Sequence, residues 1–240
     1  MTRAAVGMND TMQDPALSRA RSGLGAVSKN RAEMRTELQA VGELARWTWV
    51  DRIARVVTEV LAPSVVVTVL PLIVAWQATR AAGPTLGWGL LVALTSSVLP
   101  MVVIVWGARS GRWDGHHVRD RKGRLVPFLA LIVLSSIGLA LLIVLGAPWM
   151  LVALDVTMVS ALLVTGAITI WWKVSLHAAV AAGAAVVLVV LHGPAWLLSS
   201  LVVAAISWSR VRLGDHTTAQ VVGGSVVGAA VVGGLFAVLV

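Results

Sequence analysis

The chain has 240 residues, 58% hydrophobic and only 12% charged, with a mean hydropathy of +0.88. Soluble domains carry about 25% charged residues, so the composition excludes a soluble globular class and indicates an integral membrane protein. The formal net charge of +8 does not point to nucleic acid, because the bases sit in tails and loops between apolar runs, where they set orientation and meet anionic headgroups. With no cysteine, a disulfide framework, a thiolate metal site and a cysteine nucleophile are all excluded.

Residues 1–34 are polar, show no sustained period and contain no apolar core of signal-peptide length, which predicts a disordered tail without a cleaved signal. From about Arg35, Leu38, Val41, Ala45, Trp49, Ile53, Val56 and Val60 recur every three or four residues. This pattern predicts an amphipathic helix over 35–55, lying in the membrane interface or packed on the protein itself. A span needs about 20 apolar residues. The expectation is an all-α polytopic bundle of six to seven transmembrane helices within 56–240, with candidate spans at 56–77, 86–107, 127–147, 149–171, 174–192, 195–212 and 217–240. The fifth and sixth have the shortest apolar cores and meet at the Gly193-Pro194 turn. Gly224 and Gly228 in the last span have the spacing that lets helices approach closely. Within the expected spans, Glu59 lies near an end, whereas Asp155 needs a partner such as water or a hydroxyl.

Three polar clusters interrupt the apolar runs: 114–124, with His116, His117, Arg119, Asp120, Arg121, Lys122 and Arg124; Trp172 to His177, with Lys173 and Ser175; and Ser209 to His216, with Arg210, Arg212 and Asp215. Each is separated from the next by two expected spans, so all three should meet at one membrane face. Arginine forks bind phosphate oxygens bidentately, a serine hydroxyl can donate, amides at a helix N-terminus favour an anion, and an imidazole can act as nucleophile or acid. Together the set reads as a phosphate cradle with two imidazoles. A metal site is the competing reading, but only Asp114, Asp120 and Asp215 supply carboxylates nearby and no His-x-x-x-His spacing occurs, so no metal or other cofactor is expected. His192, beside the Gly-Pro turn, reads as an ordinary interfacial residue.

At these residues the chain resembles the type 2 phosphatidic acid phosphatase family of membrane lipid phosphatases, with its Lys-x6-Arg-Pro, Pro-Ser-Gly-His and Ser-Arg-x5-His motifs. Ser209, Arg210 and His216 complete the third motif. Val174-Ser175-Leu176-His177 keeps the Ser and His of the second, and the first keeps Arg124, with His117 at the position of the lysine. The pattern is closest to a divergent bacterial branch carrying Asp-Arg-Lys-x-Arg-Leu-x-Pro-Phe, and it covers roughly residues 112–235. The resemblance implies hydrolysis of an isoprenoid or glycerolipid phosphate or diphosphate through a phosphohistidine at His216. His177 would protonate the leaving alkoxide, while Arg124, Arg210, Ser175 and His117 bind the phosphoryl group. The family carboxylate four residues after the nucleophile is Gln220 here.

Two other readings compete: a non-catalytic lipid-phosphate binding or transport protein on the same scaffold, and a small transporter using Asp155 and Glu59. Counting seven spans puts 18 of the 19 Lys and Arg on the side of the three clusters and only Arg80 opposite. Positive residues in short loops stay inside, which predicts a cell-membrane protein whose site faces the cytoplasm.

Overall fold

A computed structural model of the chain describes residues 34–35, 48–109 and 121–240, with the side chains of 108 and 121–127 excepted. The chain divides into two compact units, Met1–Trp49 and Val50–Val240. Residues 1–33 of the expected tail and 36–47 of the expected interfacial helix lie outside the described residues. The described fold is all-helical, with no strand among the described residues: α1 Trp49–Val60, α2 Pro63–Thr79, α3 Ala82–Gly107, α4 Arg121–Val144, α5 Trp149–Trp171, α6 Leu176–His192, α7 Pro194–Arg212 and α8 Thr218–Leu239.

The expected boundary between interfacial helix and first span, at 55/56, is displaced to Leu61-Ala62. Pro63 has no N–H and disfavours helical backbone in the residue before it, so Ala62 adopts φ −58° and ψ 149° and the chain bends by 44° between α1 and α2. On α1, Trp49, Ile53, Val56 and Val60 form an outward apolar stripe, whereas Ala54 and Thr58 are buried. The hydrophobic periodicity of α1 therefore marks a surface turned away from the bundle.

Helices α3, α5, α7 and α8 are each long and apolar enough to cross a membrane, and the bent α1–α2 pair makes a fifth if counted as one span. This is a smaller set than the six to seven spans expected. Phe128–Val144 and α6, inside the expected spans 127–147 and 174–192, are shorter apolar helices. The expected span 195–212 reaches full length because 3₁₀ turns at Pro194–Ser199 continue into the α-helix Ser200–Arg212.

In lipid, helices associate through close packing rather than through the hydrophobic effect, so small residues decide which helices meet. On α6, Ala178, Ala179, Ala181, Ala182 and Ala184 are buried. Against them lies α8, where a Cβ on Gly224 would stand 2.5 Å from the carbonyl oxygen of Ser175 and one on Gly228 would overlap that of Ala179. The two glycines singled out by their spacing are thus where α8 touches backbone. Val74, Leu151, Leu154, Val187 and Phe236 complete the main core between α2, α5, α6 and α8. Exposed tryptophans mark several helix ends, and Trp149 Nε1 donates to Leu239 O at 2.9 Å, joining the start of α5 to the end of α8.

Candidate functional site

The turn between α7 and α8 is built by backbone hydrogen bonds. Leu213 N donates to Ser209 O and Gly214 N to Val211 O, both at 3.0 Å, and Gly214 then takes φ +73°, a conformation that costs glycine little. Asp215 N and His216 N both donate to Arg210 O, at 3.1 and 3.2 Å, and Thr217 caps α8. The five residues between Arg210 and His216 are therefore one helical turn-off followed by a cap. The fold-back also sets the Asp215 carboxylate 2.9 Å from Arg210 Nη1.

The second cluster docks onto this turn. Ser175 N donates to Gln220 O at 3.2 Å, and Lys173 Nζ donates to Asp215 O at 2.7 Å. Ser175 is wholly buried and caps α6, its Oγ accepting from Ala178 N at 3.4 Å and keeping its own hydrogen to donate. One turn of α6 then carries His177, which lies within electrostatic reach of Arg210, His216 and Asp215. The structure thus brings together four of the sequence-expected site residues: Ser175, His177, Arg210 and His216. His117 lies outside the described residues, as does the side chain of Arg124, whose backbone belongs to the first turns of α4.

His216 is oriented by Gln220, four residues on. Gln220 Oε1 accepts from Thr217 N at 3.2 Å while Gln220 N donates to Thr217 Oγ1 at 3.3 Å, a reciprocal cap of α8. The backbone donor fixes which end of the amide is oxygen. His216 Nδ1, 3.2 Å from that oxygen, must therefore be the protonated nitrogen, leaving the Nε2 lone pair free. Burial, then the Lys173 ammonium and the Arg210 guanidinium, hold the His216 pKa below the ordinary histidine value, against the raising effects of the Gln220 bond and Asp215. These surroundings favour the neutral imidazole, the form a nucleophile requires. Arg210 Nε is buried and has no hydrogen-bond partner among the described residues, so one guanidinium donor remains for an acceptor.

Sequence reasoning placed Lys173 in the second cluster without giving it a role; its position two residues before Ser175 was the available signal. It gave no hint of Thr58, whose Oγ1 lies 3.0 Å from Ser209 Oγ and ties α1 to the residue preceding Arg210. Asp51 reinforces that tie by accepting from Arg212 Nε at 2.8 Å. Asp155 finds the hydroxyl partner expected for it in Ser96, 3.4 Å away. His192 stacks against Trp196, with ring centroids 5.2 Å apart, at the Gly-Pro turn.

Compared with models of known protein families, with curated proteins and with solved structures, the chain gave no match.

Proposed function

We infer that the chain is a membrane phosphatase that releases phosphate from a lipid phosphate through a phosphohistidine at His216. One observation carries the reading: the Thr217–Gln220 cap leaves His216 with a free Nε2 lone pair beside Lys173 and Arg210, with a second imidazole, His177, at the same end of the bundle. In this scheme His177 takes a proton from the arriving phosphate monoanion; Nε2 attacks phosphorus in line as the ester P–O bond breaks, and His177 delivers that proton to the departing alkoxide. Water, deprotonated by His177, then attacks the phosphohistidine; the P–N bond breaks, phosphate leaves and His216 returns to its neutral form. Arg210, through its buried Nε and the remainder of its fork, stabilises the phosphoryl oxygens together with Lys173, Ser175 and, on the resemblance, Arg124 and His117.

Counting the two shorter apolar helices as spans gives seven crossings, a cytoplasm-facing site in the cell membrane and a C-terminus on the opposite face. Alkaline phosphatase fused after Val240 is then active and a fluorescent protein that matures only in the cytoplasm is dark there; the reverse result inverts the topology. The deciding experiment for activity is phosphate release by purified wild-type and His216→Ala protein across isoprenoid and glycerolipid mono- and diphosphates. The expected outcome is release and a trapped phosphoenzyme with wild type, and neither with His216→Ala. Saturable binding of these lipids without release by wild type would assign the scaffold to lipid-phosphate binding or transport instead.

A further inference from the structure

A cavity of about 350 Å³ lies between α2, α3, α4, α5, α6 and α8, with Pro63 and His177 near the site end and Ser96, Ser135 and Val232 farther along their helices. Its size is that of a small-molecule pocket and its lining is almost entirely carbon. Met101 belongs to the same lining and is 47% exposed on α3, an apolar helix long enough to span, so the cavity opens toward the bilayer.

Two hydroxyls in the lining, those of Ser135 and Ser96, are not satisfied as hydroxyls in helices normally are. Thr68, Thr79, Thr95, Ser160, Thr165 and Thr169 each donate back to the carbonyl four residues earlier. Ser135 does not: it is 0% exposed, lines the cavity, and its Oγ has no hydrogen-bond partner among the described residues. Ser96, also in the lining, bonds Asp155 Oδ1, while Oδ2 of this wholly buried carboxyl has no partner. Unpaired polar atoms in an apolar interior are costly, and a hydrogen-bonding group arriving in the cavity removes that cost.

We propose that this cavity binds an elongated apolar molecule from the bilayer bearing one hydroxyl, held by Ser135 and by Ser96 beside Asp155. A hydroxyl both donates and accepts, matching a serine on one wall and a carboxyl-bound serine on another. A phosphate group does not fit, because no Lys or Arg is among the described lining residues to pair with it. A plain hydrocarbon leaves Ser135 unpaired. The cavity reaches His177 at one end, but the proposal rests on Ser135, Ser96 and Asp155 and does not depend on the phosphatase reading.

The test uses the full chain in phospholipid nanodiscs and two photoactivatable diazirine probes of equal chain length, a long-chain primary alcohol and the corresponding alkane. The alcohol is expected to label peptides containing Leu131 and Met158, two other lining residues, about fivefold more than the alkane, the preference one hydrogen bond gives. Ser135→Ala lowers alcohol labelling to the alkane level, Ala161→Phe fills the cavity and removes both, and His216→Ala changes neither. Equal labelling by the two probes in wild type overturns the proposal, as does alcohol labelling that survives Ser135→Ala. Should Ala161→Phe fail to fold, the alcohol-to-alkane ratio in Ser135→Ala decides alone.

Discussion

Where α6 and α8 begin, Lys173, Ser175, His216 and Gln220 are each held by a backbone or side-chain partner; farther into the bundle, Ser135 and Asp155 each keep an atom without one. The difference follows from what backbone is on offer. A helix end leaves amides and carbonyls unpaired, so a side chain placed there finds partners and is fixed by them. In mid-helix the backbone is consumed by its own ladder, and a polar side chain can only fold back, find another side chain or wait for a ligand. The first situation produces an oriented reactive group, the second a binding site.

The largest effect is expected from removing His177, which stands where the two regions meet. With His177→Ala, turnover of alkyl phosphates should fall by at least about 10²-fold, while an activated aryl phosphate, whose leaving group needs little protonation, should lose far less. Equal losses on both substrates would sink the assignment of His177 as the acid.

Next in size is the seam that supports the site. In Gly228→Val the new side chain meets the Ala179 carbonyl, backbone that cannot step aside, so α8 must move off α6. A loss of about 3 kcal/mol is expected, read as a lowered Tm in detergent. The same displacement should weaken the Ser175–Gln220 bond and activity with it. A variant as stable as wild type would show that the seam is not close-packed.

Smaller effects test the orientation of His216. Gln220→Leu removes the acceptor for Nδ1–H and should reduce kcat/KM about tenfold, the equivalent of one hydrogen bond, while Gln220→Glu should retain activity because a carboxylate accepts the same proton. Since burial and then Lys173 depress the His216 pKa, the acid limb of the kcat/KM profile should fall below the ordinary histidine range. Activity is retained above that pKa and lost as pH drops through it. Lys173→Gln should move the limb upward toward the ordinary value without reaching it, because burial persists. An unmoved limb would mean that a different group titrates there.

The membrane character, the all-helical class and the pairing of the Trp172–His177 and Ser209–His216 clusters were legible in the sequence. Each depends on local chemistry: apolar length, helix ends, and residue types at fixed separations. The Gly224 and Gly228 spacing likewise announced a close helix contact, though not that α6 would be the partner. Boundaries were less legible. The break at Ala62-Pro63 overrode the apolar periodicity running through it, and Pro194–Arg212 gained its length from 3₁₀ turns that the composition did not distinguish.

Only the tertiary structure decided what depends on residues far apart in the chain. Thr58 meets Ser209 across 151 positions, and Asp155 meets Ser96 across 59. In sequence, Gln220 shows only a neutral amide four residues after His216. In the fold, the Thr217 amide fixes the Gln220 oxygen, so a neutral amide can hold Nδ1–H as a charged group would. Sequence by itself determined which chemical groups this membrane protein has and at which helix ends they fall, because those follow from short-range pattern. Their partners were settled by the tertiary structure, because a hydrogen bond or an ion pair depends on distances that only packing sets.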